Sequence, residues 1–229
     1  MIYNIAIDGP AGAGKSTIAR RVAKELSFIY VDTGAMYRAM ALYLLRREVN
    51  RDDTEQIGNI CQDADISIEY QNGEQIVLLN GENVNSYLRT EEVGNMASVS
   101  SAVPRVREKL LSLQRKLAKD MSVVMDGRDI GTTILPDADV KIYLTASSLT
   151  RAKRRYLELQ EKGTVCNLEE IQKDIEERDQ RDMNREISPL RQAEDAVLVD
   201  SSDLTIQQVV DRILQIFRSK TTGEDSHES

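Results

Sequence analysis

Histidine is almost absent from this chain. The single one, His227, stands in the polar stretch Thr221-Thr-Gly-Glu-Asp-Ser-His-Glu-Ser229, so imidazole chemistry is excluded from the body of the protein. That stretch has neither periodicity nor bulk to fold, and 219–229 is expected to form a disordered tail. Cysteine is nearly as scarce: Cys61 and Cys166 lie far apart, in none of the spacings that mark zinc or redox sites, and read as inert thiols in a reducing compartment. No stretch approaches the roughly 18 apolar residues of a membrane span, and residues 1–8 lack the basic and apolar regions of a secretory leader. Positive charge is also in deficit, with 30 Lys and Arg against 38 Asp and Glu and a net charge of -8. Such a field repels nucleic acid and anionic membranes. The expectation is a soluble, cytoplasmic protein with neither as partner, in which any anionic ligand meets a local cluster of cations.

What is present is enough for a folded domain: 229 residues, 41% of them hydrophobic. Short uninterrupted apolar runs at 2–7, 28–31, 123–125, 140–144 and 196–199 suit strands buried on both faces. Between them lie stretches of helical spacing, among them Ile18, Val22 and Leu26, and Ile206, Val209, Val210, Ile213 and Ile216. This alternation predicts an α/β fold with a mostly parallel sheet flanked by helices. One region breaks it. Runs at 66–70 and 75–79 flank Asn72-Gly73, and Asn80-Gly81 precedes 82–84, which predicts a small antiparallel meander inserted in the parallel core without a helix of its own to cover it. It is either an ornament or a subdomain that closes on substrate.

Gly9-Pro10-Ala11-Gly12-Ala13-Gly14-Lys15-Ser16 matches G-x-x-x-x-G-K-[ST], with a predicted strand before it and helical spacing after. Small residues let successive backbone N–H groups converge on phosphate oxygens, and the helix that follows directs its positive end at the same anion. Lys15 is then expected on the β- and γ-phosphates of a nucleoside triphosphate, and the Ser16 hydroxyl on Mg²⁺. Asp126, after the run at 123–125, stands like the acidic residue that steadies Mg²⁺ in such proteins; a strand-end cap is the other reading. The loop alone shows phosphate binding, not reaction type.

Phosphoryl transfer needs two phosphate groups held in line with their charge neutralised, so surplus arginine is expected. It is found at Arg38, Arg105, Arg107, Arg128, Arg178, Arg181 and Arg185. The apolar stripe Leu168, Ile171, Ile175 continues at helical steps onto Arg178, Asp182 and Arg185, so a face directed at the protein turns charged. Such a face either meets a ligand or leaves the body as solvated pairs. Arg128 and Asp129 follow Gly127 beyond a core strand, where open α/β sheets place ligands. Asp129 can accept from an amino group such as cytosine N4; the other reading is that Arg128 and Asp129 saturate each other in a turn.

Taken in order, Asp8-Gly-Pro-Ala-Gly-Ala-Gly-Lys-Ser-Thr17, Asp32-Thr-Gly-Ala-Met-Tyr-Arg38, Pro104-Arg-Val-Arg107, Asp126-Gly-Arg-Asp-Ile-Gly-Thr132 and Arg178-Asp-Gln-Arg-Asp-Met-Asn-Arg185 resemble the bacterial cytidylate kinases, of the nucleoside-monophosphate kinase family of P-loop proteins. The resemblance implies a five-stranded parallel sheet flanked by helices in a single kinase domain, 1–218. Within it, an acceptor-binding part covers about 33–103, carrying the insert at about 66–84, and a helical lid covers about 150–187. It implies ATP and Mg²⁺ as cofactors, CMP or dCMP as acceptor, and a monomer. Residue by residue, it puts Gly9 to Thr17 and Arg154 with ATP, and Ser16 and Asp126 with the metal. Cytosine falls to Ser98, Arg107 and Asp129, the ribose to Arg178 and Asp182, and the acceptor phosphate to Arg38, Arg128 and Arg185, with Thr33 nearby. Lys15, Arg128 and Arg185 would carry transition-state charge as an acceptor phosphate oxygen attacks the γ-phosphorus. That nucleophile is already ionised and needs no general base. The readings left open by the residues alone are a P-loop kinase of a small alcohol, such as a shikimate-type acid, and a non-catalytic nucleotide switch.

Overall fold

The computed structural model describes residues 1–222. In chain order the first half contains β1 (Asn4–Asp8), α1 (Lys15–Leu26), β2 (Ile29–Asp32), α2 (Thr33–Arg46), α3 (Thr54–Ile60), β3 (Ile66–Gln71), β4 (Glu74–Leu79), β5 (Glu82–Asn83), α4 (Glu91–Ser100) and α5 (Pro104–Asp120). The second half contains β6 (Val123–Gly127), β7 (Val140–Thr145), α6 (Ser148–Glu161), α7 (Leu168–Asn184), β8 (Val197–Asp200) and α8 (Ile206–Thr222). A five-stranded parallel sheet runs β2-β6-β1-β7-β8, and β3, β4 and β5 form a separate antiparallel sheet. The expected fold class is therefore observed. By contact the chain divides into two compact units, one made of Met1, Tyr3–Phe28 and the described residues from Val124 on, the other of Ile2 and Ile29–Val123.

In the first unit the central strands β1, β6 and β7 carry almost nothing but buried residues, as non-alternating apolar runs require. Ile5 pairs with Val140 and Ile7 with Ile142 in the β1–β7 register. Helix α1 buries Ile18, Ala19, Val22 and Ala23, and α8 buries Val209, Val210, Ile213 and Phe217. Phe217 meets Tyr3 and Phe28 edge-on at 5.5 and 5.6 Å between ring centroids. Two expectations are corrected here. The run at 196–199 was expected to be buried on both faces, yet β8 is the sheet's edge strand and leaves Leu198 52% exposed. Helix α8 also continues through Thr222, into the stretch expected to be a tail; His227 and the rest of 223–229 lie outside the described residues.

In the second unit α2 is buried along most of its length, from Ala35 and Met36 to Leu44. The meander forms as predicted. Asn72-Gly73 and Asn80-Gly81 all adopt positive φ, between 51° and 81°, as two-residue hairpin loops whose twist matches the strands demand. It has no helix of its own, as expected, and is covered instead by α2, which packs on β3 and β4; the inner residues Val77 and Leu79 of β4 are buried. Its edge is also pinned to β2: the Gln75 amide accepts from the Asp32 N–H at 2.9 Å and donates to the Asp32 carbonyl at 3.1 Å. Tyr70 donates to the Tyr30 carbonyl at 3.2 Å.

Candidate active site

In the first unit the phosphate loop leaves β1 at Gly9, where any Cβ would stand 1.9 Å from the Leu144 carbonyl oxygen of β7. Only glycine allows that approach. Gly14 caps α1 in the left-handed region, at φ 86°, so the helix begins at Lys15 with its free amides turned toward the loop. Lys15 is buried and donates to the Pro10 carbonyl at 2.7 Å. Burial first, and then the charge of Arg128, push its ammonium well below the usual lysine range, against the pull of Asp126, Asp182 and Asp8. The Ser16 hydroxyl donates to Asp126 Oδ2 at 3.0 Å. Asp126 is a buried residue within β6, which runs on to Gly127, so the strand-end cap reading is replaced by a hydroxyl–carboxylate pair. Two hard oxygen donors beside a phosphate cradle fit Mg²⁺, which binds one or two protein oxygens and completes its shell with phosphate and water.

Beyond β6 the chain turns through a single π turn, Ile130–Ile134, and the two readings of Arg128 and Asp129 separate. They do not saturate each other. Arg128 Nε donates to Asp182 Oδ2 at 2.8 Å, and Arg185 Nη2 lies 3.4 Å from Asp129 Oδ1. Both partners come from the end of α7, so the charged face does turn inward: Asp182 is buried, while Arg181 is exposed. Burial opposes the ionised form of Asp182, but Arg128, Arg178 and Arg185 outweigh it and hold the carboxyl below the usual range. One detail differs from the expected spacing. The helix stops at Asn184, and Arg185 is an extended cap whose Nε donates to the Ser188 carbonyl at 2.7 Å.

The helical pair α6 and α7 spans the region expected to be the lid. Arg154 is engaged away from the phosphate loop, donating to the Ser201 carbonyl at 2.7 Å and to its hydroxyl at 3.3 Å. The side chain that reaches the loop is Arg151, one turn earlier, three residues or roughly 4.5 Å along the axis. Arg151 is buried, donates to the Ala11 carbonyl at 2.7 Å and pairs with Asp179 at 2.6 Å. Asp179 Oδ1 in turn accepts from the Ala11 N–H at 3.3 Å. Neither residue was singled out from the sequence. Asp8 was missed as well: its carboxylate accepts from the N–H groups of Ile130 and Gly131, both at 2.7 Å. The available signal was a lone carboxylate ending an otherwise apolar central strand.

In the second unit, Asp32 caps α2 by accepting from the Ala35 N–H at 2.9 Å, and Thr33 is buried in the first turn. Arg38 lies 3.9 Å from Asp32, over Gly34, where a Cβ would meet Arg38 Nη2 at 3.5 Å. Arg107 is buried on α5, donates to the Ser101 carbonyl at 3.2 Å and stands over the Tyr37 ring at 5.5 Å. Arg105 instead turns outward to Asn59. The Ser98 hydroxyl on α4 is buried without a hydrogen-bond partner among the described residues, an arrangement rarely left unmet in a finished site.

Residues 5–219 match the sequence profile of the family described as cytidylate kinase. A cytidylate kinase of Caldicellulosiruptor saccharolyticus is 50% identical over 214 residues, 93% of this chain and 95% of that protein. Another, of Lactobacillus johnsonii, is 48% identical over 219 residues, 96% of this chain and 95% of its own. Among solved structures, an uncharacterized protein from Eubacterium ventriosum superposes over 95% of this chain and 99% of its own with a TM-score of 0.50 at 13% identity, a likeness of fold alone. Among the described residues no helix is long and apolar enough to cross a membrane. With the profile spanning nearly all of the sequence and relatives at about half identity, the chain belongs to the cytidylate kinase family.

Proposed function

We propose that this protein transfers the γ-phosphoryl group of ATP to CMP, and to dCMP, giving ADP and the cytidine diphosphate, as a cytoplasmic monomer with neither nucleic acid nor membrane as partner. The observation that carries the reading is the pairing of Arg128 with Asp182 and of Arg185 with Asp129 at the end of β6, close enough that Arg128 and Asp182 act on Lys15. A phosphate loop needs none of this to bind one nucleotide. A second anion does, because two phosphate groups brought together repel until cations stand between them.

In this reading Gly9 to Thr17 cradle the phosphates of ATP, with Lys15 neutralising charge on the oxygens that become the ADP terminus. Ser16 and Asp126 are the residues to hold Mg²⁺, which when bound screens the phosphate oxygens. Arg38, Arg128 and Arg185 serve the acceptor phosphate, Thr33 is assigned near the acceptor, and Arg178 and Asp182 serve the ribose. Ser98, Arg107 and Asp129 serve the cytosine edge; the Ser98 hydroxyl, without a partner among the described residues, and the buried Asp129 carboxylate support that role. The CMP phosphate oxygen forms its bond to the γ-phosphorus as the bond to the ADP oxygen breaks. No proton has to be removed first, since that oxygen is ionised at neutral pH.

Coupled ADP release measured with CMP, dCMP, UMP, AMP and shikimate tests the proposal. Turnover is expected to be fastest with the two cytidine nucleotides. Faster turnover with the alcohol would overturn it in favour of a small-molecule kinase, and tight ATP binding with no ADP from any acceptor would make the protein a switch.

A further inference from the structure

We infer that Asp8 is a positioning residue for phosphoryl transfer, its carboxylate holding the turn after β6 in the shape that presents Arg128 and Asp129; the inference rests on the function proposed above. The amides of Ile130 and Gly131 open a helical turn, and the first amides of such a turn have no acceptor within it. Asp8 takes both, one on each carboxylate oxygen. The turn is closed at its other side by Asp129, whose carbonyl accepts from the N–H groups of Thr133 and Ile134 at 2.9 and 3.1 Å. The two residues that carry the ion pairs to α7 thus sit directly before a junction gripped by a single carboxylate. That carboxylate belongs to β1 and is followed at once by Gly9, so one side chain ties the start of the phosphate loop to the turn that bears the acceptor-directed charges.

A cap needed only for folding has an inexpensive solution, a neutral or solvent-exposed acceptor. Asp8 is neither: it is 5% exposed, and burial pushes its carboxyl up to about 6. Only the ionised carboxylate offers two acceptor oxygens and no donor. An asparagine of the same shape accepts from one amide and turns its own NH₂ toward the other, so it keeps the volume and loosens the grip. The phosphate loop keeps its own backbone bonds in that variant. The two substrates are therefore expected to respond unequally, which a merely structural role would not produce.

The test is steady-state kinetics of wild-type protein and Asp8→Asn, with the folded fraction of each fixed by circular dichroism. Per folded molecule, kcat/KM for CMP is expected to fall about tenfold or more, since small misplacements of positioning groups cost one to two orders of magnitude, while the KM for ATP stays within about twofold. An unchanged kcat/KM for CMP, or equal losses toward CMP and ATP, would overturn the inference. Should Asp8→Asn not fold, Asp8→Glu keeps the charge and carries both acceptor oxygens one methylene away from the positions that now receive the Ile130 and Gly131 amides. The same acceptor-selective loss is expected there, and its absence counts against Asp8 equally. Wild-type protein that makes no CDP from CMP sinks the functional reading and this inference with it, whereas active wild type with an equally active variant sinks the inference alone.

Discussion

Replacing Asp8 by Asn should change how stability depends on pH in a direction that runs against the usual behaviour of carboxylates. Burial is the dominant influence on Asp8 and raises it from an ordinary 3.8 to about 6, outweighing the hydrogen bonds from Gly131 and Ile130 and the pull of Lys15, with repulsion from Asp129 adding to the rise. The folded protein therefore holds this proton longer than the unfolded chain does. Its favourable contribution is complete below pH 3.8 and is lost as pH rises through about 6. At 1.36 kcal/mol per pH unit, keeping the carboxylate ionised at pH 7 costs the fold roughly 3 kcal/mol, of which about half is already present at pH 5. Asn does not titrate, and the other groups cancel in the comparison. The stability of wild type relative to Asp8→Asn should thus fall by roughly 1 kcal/mol between pH 5 and pH 7. Urea unfolding followed by far-ultraviolet circular dichroism at the two pH values measures this. With a denaturant slope of about 2–3 kcal/mol/M, the gap between midpoints should move by roughly 0.5 M. A gap that stays constant, or widens in favour of wild type at pH 7, would refute the reasoning and remove the ground for treating Asp8 as a charge kept at the expense of stability.

Other substitutions probe separate parts of the account. Lys15→Ala should lose roughly a hundredfold or more in kcat, about 3 kcal/mol of transition-state stabilisation; a steady-state rate equal to wild type contradicts its role. Asp129→Ala should weaken turnover of CMP more than that of UMP, because only cytosine presents an amino donor, and equal losses with the two acceptors reject the assignment. Gly9→Ala sets a methyl 1.9 Å from the Leu144 carbonyl oxygen at φ 153°, which should cost at least ~3 kcal/mol and lower the melting temperature by roughly 6–12 °C. An unshifted melting curve would show that the strand spacing at Gly9 relaxes freely.

What the sequence made legible were the features decided locally. Asn72-Gly73 and Asn80-Gly81 specify their own positive-φ turns, so the meander was predicted to within a residue or two. Ser16 and Asp126 were recognisable because a motif fixes one and the other follows directly on an apolar run, and the structure joins them at 3.0 Å. What escaped depended on partners distant in sequence. Arg128 and Asp129, adjacent in the chain, offered each other as partners, yet each pairs with α7, more than fifty residues away. Asp8, Arg151 and Asp179 received no role from the sequence because their partners lie far along the chain; the apolar run before Asp8 marks it as a carboxylate at the end of a core strand but does not say that it accepts two backbone amides from a turn more than a hundred residues on. The edge position of β8 was hidden for a similar reason, since an apolar run does not say how many neighbours it has.

The central claim is transfer of phosphate from ATP to CMP, and the most direct measurement is ³¹P NMR of the purified protein incubated with ATP, Mg²⁺ and CMP. The CMP resonance is expected to give way to the two signals of CDP while ADP appears in equal amount and inorganic phosphate stays at background. ADP accompanied by inorganic phosphate, with CMP left intact, would contradict it.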